Sequence, residues 1–240
     1  MILIEKIKTC NWDAALRGMR NPKDSWEKAD SIYGEYYGVD DLGIEVFREY
    51  EAPQMGENDK RLATTLADAG QVHGKFLRQI IISMDVTAPL YWWKEYDTYK
   101  VGTVADSCST MHRIHAKEFT LDQFSTEHLI SHWWSEADNF SDTVPLDVME
   151  ATIKMLNECR EKYLYCVKHD DPGRAKMFWW QLIQLLPSSY NQKRTLTLNY
   201  AVLKNIYEYR KDHKLDEWHE FCQMIEHLPH SELITGGKNK

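Results

Sequence analysis

The amino-acid sequence predicts an α+β fold in one domain that spans residues 1–240. Helical patterns outnumber strand patterns, and the strand patterns lie far apart along the chain. No internal repeat, low-complexity tract or obvious linker divides the sequence. A length of 240 residues suits one large domain with a substantial core.

The N-terminal part of the chain alternates between strand-like and helix-like patterns. Residues 2–9 alternate as a strand does, and 11–22 read as a short helix that Asn11 or Asp13 could cap. We expect further elements in this order: loops and short elements over 23–58, a helix over 59–75, a strand over 76–86, and a helix over 89–100 that starts at Pro89.

The C-terminal part of the chain is mainly helical in pattern. We expect a helical or mixed stretch over 116–135, a long amphipathic helix over 144–168, a helix over 178–187, a long helix over 195–213, and a last helix over 215–228. Asn199 and Arg210 would share one face of the helix over 195–213, with apolar residues between them. On pattern alone, this is a half-buried helix whose Arg210 complements the helix dipole.

Composition and charge limit the classes of partner. The formal net charge of −8 argues against duplex nucleic acid, which needs a basic surface. No stretch approaches the length of a membrane-spanning helix, and the N-terminus lacks the apolar core of a signal peptide. Five scattered Cys residues without metal spacing are typical of free thiols in a reducing cytoplasm. The 9 Trp and 13 Tyr residues favour large buried interfaces and therefore a homo-oligomer.

Common motifs for phosphate loops, serine nucleophiles and metal sites are absent from the sequence. The two histidines of HRIH (112–115) have no accompanying ligand set, so we expect no metal. The aromatic residues at 92, 93, 96 and 99 have helical spacing, which is more typical of a buried face than of a ligand platform.

The C-terminal segment LPSSYNQKRTLTLNYAVLKNIYEYR (186–210) resembles the flavin-dependent thymidylate synthases. In that family a Leu-Pro precedes an Asn that contacts the flavin, and an Arg eleven residues later contacts the uracil. Asn199 and Arg210 match this pattern without a gap. Upstream, DPGRAK (171–176) is similar to a Pro-x-x-Ala-Arg stretch of the family, with Lys176 in place of Arg.

A second segment, HGKFLRQIIISMDVTAPLYWWKEYDTYK (73–100), resembles the strand, turn and helix that lead into the family signature Arg-His-Arg-x-x-Ser. The signature itself is rewritten. Residues that the resemblance assigns to the flavin are His73, Thr98, Tyr99, Lys100, Thr103 and Asn199. Those that it assigns to the nucleotide are Glu95, Asp106, Thr110, Lys176 and Arg210.

The substitutions in the signature remove positive charge. Thr98, Thr110 and Ala201 stand where the family has Arg, which leaves Lys100 as the expected phosphate ligand and Tyr99 free to stack on the flavin. A charge-assisted hydrogen bond typically contributes roughly 1.5–3 kcal/mol to the free energy of binding, so each lost Arg weakens phosphate binding by about that much. Cys108 stands at a Ser position. Its thiol could add to a pyrimidine C6, whereas the alternative is a buried, inert Cys.

The resemblance implies a central, mostly antiparallel sheet flanked by helices, in a homotetramer with active sites between subunits. It also implies FAD as cofactor, and NADPH and methylenetetrahydrofolate as co-substrates. The expected reaction is reductive C5 methylation of deoxyuridine monophosphate (dUMP) or a related pyrimidine nucleotide, with Arg210 and Cys108 as candidate catalytic residues. Two alternatives remain open: a catalytically degenerate member that binds a nucleotide or a protein, and an unrelated α+β protein.

Overall fold

The computed structural model describes residues 1–39, 45–134 and 141–236. The predictions for 23–58 and 116–135 therefore fall partly outside the described residues. Within the described ranges the chain forms six strands: β1 (Leu3–Cys10), β2 (Ile32–Val39), β3 (Glu45–Gln54), β4 (Ile81–Pro89), β5 (Val104–Ser107) and β6 (Asn191–Asn199). It also forms eight α-helices: α1 (Trp12–Arg20), α2 (Glu57–Asp68), α3 (Leu90–Tyr96), α4 (Pro145–Lys168), α5 (Pro172–Leu185), α6 (Tyr200–Arg210), α7 (Asp216–Glu226) and α8 (Glu232–Thr235).

Four strands form the main sheet in the order β1-β4-β6-β5, and β2 and β3 form a separate antiparallel pair. The prediction of an α+β fold with an antiparallel sheet flanked by helices is confirmed. The strand predicted over 76–86 does pair in the sheet, as β4. Its alternation of buried and less buried residues matches the period of two that a pleated strand imposes.

The chain divides into two compact units. The first comprises Met1–Leu3, Thr87–Asp97 and Ser107–Arg194. In this unit α4 packs on α5, and apolar residues of both helices and of the preceding segment form its core. Core members are Ile114, Phe119, Phe124, Ile153, Leu156, Cys159 and Leu182. The aromatic residues of α3 are buried here too, since Trp92, Trp93 and Tyr96 are at most 2% exposed.

The second unit comprises Ile4–Val86, Thr98–Asp106 and Thr195–Lys240. Helix α6 packs against α7, α8 and the 3-10 turn Gly74–Arg78, while α1 and α2 pack against each other. Buried Leu203 and Ile206 of α6 face this helical layer, as the apolar stripe of an amphipathic helix does. Most of the length of the main sheet lies in this unit.

The long helix predicted over 195–213 is wrong in its first part. Residues up to Asn199 belong to β6, and α6 begins only at Tyr200. The Thr-Leu-Thr-Leu run has the period of a strand, and its two leucines are buried while its two threonines are exposed. Asn199 therefore marks the change from strand to helix, instead of lying inside a helix.

Predicting only loops and short elements over 23–58 overlooked the β2–β3 pair. Ile32–Val39 pairs with Glu45–Gln54, and the register shifts fall between Ile32 and Gly34 and between Tyr36 and Gly38. Glycine in a strand often marks such an irregularity, and here it made a strand look like a loop.

Several boundaries also moved. Strand β4 starts at Ile81 because the 3-10 turn Gly74–Arg78 precedes it, and α3 ends at Tyr96 instead of residue 100. Helix α5 begins at Pro172, before the predicted start at 178, and within its described part 116–135 holds only the 3-10 turn Leu121–Gln123. The side chain of Asn11 does not cap α1, because its amide donates to the carbonyl oxygen of Gln79 at 2.8 Å.

Candidate functional site

The rewritten signature segment, residues 98–103, lies alongside α6 in the second unit. Gly102 has a φ of +80°, a backbone conformation that favours glycine. A Cβ at this position would stand 3.0 Å from Nδ2 of Asn199 and 3.3 Å from a methyl carbon of Val202. Glycine thus lets the segment approach the N-terminal end of α6 directly.

Asn199 is held in place by its position at the start of α6. It is the last residue of β6 and the N-cap of the helix, and its Oδ1 accepts a hydrogen bond from the backbone N–H of Val202 at 3.1 Å. An N-cap residue satisfies one of the first-turn amides in this way. The side-chain Nδ2 lies next to Gly102, where only a residue without a Cβ leaves it enough room.

Arg210 lies at the other end of α6, against the beginning of the same signature segment. Its Nε donates to the hydroxyl of Tyr99 at 2.8 Å. Its guanidinium lies over the ring of Trp218, 4.8 Å from the ring centre, and Trp218 is fully buried. A cation over an indole face is attracted by the ring quadrupole. The structure thus brings together Tyr99 and Arg210, two residues that the sequence matched separately.

A cavity of about 440 Å³ opens at the N-terminal end of α6. Its walls come from the end of α2, the 3-10 turn Gly74–Arg78, the signature segment and α6. The residues that line it are Ala67, Gly70, Gln71, Gly74, Leu77, Arg78, Val101, Gly102, Asn199, Ala201, Val202, Lys204, Asn205 and Glu208. Three glycines, short apolar side chains and two Asn amides give it a partly polar lining.

Of the residues that the resemblance assigns to the flavin, Asn199 lines this cavity. The others belong to the same unit but are not among the lining residues: His73, Thr98, Tyr99, Lys100 and Thr103. Gly74, Val101 and Gly102 line the cavity, and each is a sequence neighbour of one of them. Thr103 closes the signature turn, because its hydroxyl donates to the carbonyl oxygen of Tyr99 at 2.5 Å.

The residues assigned to the nucleotide are divided between the two units. Arg210 and Asp106 belong to the second unit, and Asp106 lies exposed on β5. Glu95 and Thr110 are half-buried members of the first unit. Lys176 is exposed on α5 of the first unit and lines a separate cavity of about 360 Å³.

Cys108 also belongs to the first unit, and it is exposed. Its backbone N–H donates to the carbonyl oxygen of Lys193 at 2.9 Å, and its carbonyl accepts from Nε2 of Gln192 at 2.7 Å. The prediction of burial for this residue is therefore wrong, while a reactive role for its thiol stays a prediction. By contrast, Cys222 is buried, and burial raises the pKa of its thiol to about 12.

Sequence reasoning missed three residues with notable surroundings. Arg78 and Asn205 line the 440 Å³ cavity. Both stood inside the matched segments, so their positions were available, but no family role pointed to them. In the first unit, Arg194 donates to Oδ1 of Asp97 at 2.7 Å and lies over the ring of Trp93 at 4.2 Å. A lone Arg in a strand offered no sequence signal for that arrangement.

Among residues 1–39, 45–134 and 141–236, no group of three or more His, Cys, Asp or Glu side chains is arranged to hold a metal ion. In the same part of the chain, no helix combines the length and the apolar character needed to cross a membrane.

Comparison with solved structures finds the same fold in thymidylate synthases. Thymidylate synthase X from Helicobacter pylori, solved with FAD and dUMP, is similar with a TM-score of 0.59 and 15% identity, over 100% of this chain and 99% of that chain. Another structure of the flavin-dependent enzyme from Helicobacter pylori, complexed with FAD and dUMP, gives 0.58 and 15%, over 98% of each chain. No family model and no curated relative matches the sequence. At this identity the likeness is one of fold.

Proposed function

We propose that this chain is a divergent flavin-dependent thymidylate synthase-like protein that binds FAD. Its proposed reaction is reductive C5 methylation of dUMP or a related pyrimidine nucleotide. Methylenetetrahydrofolate would donate the carbon and NADPH would recharge the flavin. The solved structures that share its fold hold FAD and dUMP, which supports both ligands as candidates here.

One observation carries the proposal: the signature segment, residues 98–103, lies against α6, which belongs to the second matched segment. Gly102 contacts the N-terminal end of α6 at Asn199, and Tyr99 hydrogen-bonds Arg210 at the C-terminal end. Nearly a hundred residues separate these segments in sequence. Their contact in the fold supports a shared site more strongly than either sequence match does alone.

The residues that line the cavity next to Asn199 fit a flavin by their chemistry. Glycine at positions 70, 74 and 102 contributes backbone to the walls of the cavity, and at Gly102 it lets the segment pack closely on Asn199. The amides of Asn199 and Asn205 provide donors and acceptors for a ring that carries both. Val101, Val202 and Leu77 supply apolar surface. These residues would hold the ring of FAD, which when bound supplies the hydride for methyl-group formation.

Arg210 is the residue of this chain best placed to assist at the nucleotide. Negative charge builds on a uracil ring during C5 methylation, and a fixed guanidinium stabilises such charge because it is oriented beforehand. Tyr99 and Trp218 hold the guanidinium of Arg210 from two sides. Tyr99 is thus proposed as a positioning residue for Arg210, rather than as the platform for the flavin.

Assembly and location follow from the same proposal. We infer a cytoplasmic homotetramer with active sites between subunits, as the family resemblance implies and as the 9 Trp and 13 Tyr residues favour. Light scattering at micromolar concentration tests the oligomeric state. A monomeric protein would contradict an active site shared between subunits.

The absorbance spectrum of the purified protein tests the proposal first, since bound FAD gives a yellow protein with a flavin band. Mass spectrometry of the released ligand then identifies the flavin. Tritium release from 5-tritiated dUMP, with FAD, NADPH and methylenetetrahydrofolate supplied, tests the reaction. Flavin binding together with tritium release supports the enzyme, whereas a colourless protein that cannot be reconstituted with FAD contradicts it.

A second candidate function is a catalytically degenerate nucleotide-binding protein. The observation that favours it is the lost positive charge, since Thr98, Thr110 and Ala201 stand at Arg positions of the family. Calorimetry with dUMP, read together with the tritium-release assay, separates the two candidates. Nucleotide binding without tritium release would support the degenerate binder, and the whole-chain likeness of fold argues against an unrelated protein.

A further inference from the structure

The diphosphate of FAD needs a cation that the rewritten signature does not supply. Thr98 and Ala201 replace two arginines, and Lys100 is not among the lining residues of the 440 Å³ cavity. The chain as a whole carries a net charge of −8, which further disfavours a bound anion. A cation close to the cavity is therefore required if the flavin carries phosphate.

Three charged side chains line the cavity: Arg78, Lys204 and Glu208. Lys204 is already engaged, because its ammonium donates to the carbonyl oxygens of Ala67 at 2.9 Å and Leu233 at 3.4 Å and lies 3.8 Å from a carboxylate oxygen of Asp68. Glu208 carries the same sign of charge as a phosphate. Arg78 is therefore the cation of this lining that remains to be assigned.

Arg78 is exposed at the end of the 3-10 turn Gly74–Arg78. Within the described residues 1–39, 45–134 and 141–236, no hydrogen bond or ion pair engages its guanidinium. An arginine in a ligand cavity with its five N–H donors available is well suited to bind phosphate in a bidentate manner.

The N-terminal end of α6 does not replace this cation. The backbone N–H of Tyr200 donates to the carbonyl oxygen of Ile80, and that of Val202 donates to Asn199. Two of the first-turn amides are thus already used. The helix dipole still favours negative charge nearby, but Arg78 supplies the full charge.

We propose that Arg78 binds the phosphate groups of the flavin cofactor in this cavity, in place of the arginines that the signature has lost. This inference rests on the proposed function, because it takes the cavity to be the flavin site. It assigns the phosphate contact to a residue outside the signature and removes it from Lys100.

Titrations of flavin fluorescence with FAD, FMN and riboflavin test the proposal. Riboflavin has the ring without phosphate, so it reports on the ring site alone. In Arg78→Ala we expect FAD affinity to fall about 10- to 100-fold, the loss of one charge-assisted contact, while riboflavin affinity stays within about twofold. Lys75→Ala is the matched control, because Lys75 is an exposed cation of the same turn that does not line the cavity. It should leave all three affinities unchanged.

Each other outcome overturns the inference in a recognisable way. Equal loss of FAD and riboflavin in Arg78→Ala would mean that Arg78 only supports the structure. Unchanged FAD affinity in Arg78→Ala, with a loss in Lys100→Ala, would return the phosphate contact to Lys100 and leave the proposed function intact. A wild-type protein that binds none of the three flavins would end both the inference and the proposed function.

Discussion

Arg20 and Arg210 belong to the same unit but differ in burial. Arg20 is 3% exposed, and its Nε donates to Oδ1 of Asp59 at 2.7 Å. Its other nitrogens donate to the backbone oxygens of Ser25 at 3.1 Å and Lys28 at 2.9 Å. The second carboxylate oxygen of Asp59 accepts from the backbone and the hydroxyl of Ser31. This ion pair is buried and enclosed by protein groups.

Arg210 is instead half-buried, with one edge bonded to Tyr99 and one face on Trp218. The ring of Trp218 attracts the guanidinium of Arg210 through its quadrupole, whereas the carboxylate of Asp59 holds Arg20 by charge and hydrogen bonds. Arg20 thus joins α1 to α2 inside the unit, while the guanidinium of the half-buried Arg210 would, on the proposed function, act on a ligand.

The largest expected effect comes from breaking the enclosed pair. Asp59→Ala leaves the Arg20 guanidinium buried without its charge partner, which costs about 3–5 kcal/mol of the free energy of unfolding. Chemical denaturation measures it. Asp13→Ala is the control, since its 4.0 Å pair with Arg17 is exposed and contributes at most about 0.5 kcal/mol. Similar losses of the free energy of unfolding in both variants would show that burial of the Arg20–Asp59 pair adds nothing to its contribution.

Arg210→Ala should change activity much more than stability. Removing a preoriented donor at a site of developing charge lowers kcat by about 100- to 1000-fold. The free energy of unfolding should fall by less than about 2 kcal/mol, because the side chain is only half-buried. Tritium release and denaturation measure the two effects. A stability loss as large as that of Asp59→Ala, with activity retained, would show that Arg210, like Arg20, serves stability only.

Gly102→Ala tests the contact at the N-terminal end of α6. Its Cβ would press on Asn199, and alanine at a φ of +80° costs about 1 kcal/mol. A cost of about 1.4 kcal/mol corresponds to a factor of ten in affinity. Because the expected cost is close to this value, we expect FAD affinity to fall about tenfold. Gly236→Ala carries similar backbone strain at φ +77°, but a Cβ there meets no atom of the described residues within 4 Å, so it should leave FAD affinity unchanged.

The smallest expected effect belongs to Tyr99→Phe. The variant removes the hydroxyl that accepts from Arg210 but keeps the ring, and Trp218 still holds the guanidinium. Activity should fall about fivefold with little change in stability, in the range of one hydrogen bond. Tyr91→Phe, in the first unit, provides a comparison for the loss of a Tyr hydroxyl. If Tyr99→Phe reduced FAD affinity instead of activity, Tyr99 would belong to the flavin site.

Elements with a strong local pattern were predicted well from sequence. The strand β1 and the helices α1, α4 and α7 lie close to their predicted bounds, because period and flanking residues agree in each of them. The β2–β3 pair and the start of α6 were missed. In both cases a misleading local feature, glycine in a strand or a strand directly continuous with a helix, hid the change of period.

The sequence by itself determined the fold class and pointed to Asn199, Arg210 and the signature segment, since each is visible in a local pattern or a family match. It could not place Tyr99 on Arg210 or Gly102 on Asn199, because these contacts join residues about a hundred positions apart. Only the tertiary structure decided them. Hydrogen bonding and burial act between residues that are distant in sequence. The fold brings carbonyl oxygens and a carboxylate to Lys204, and this decides that Arg78 is the cation of the cavity left for a ligand.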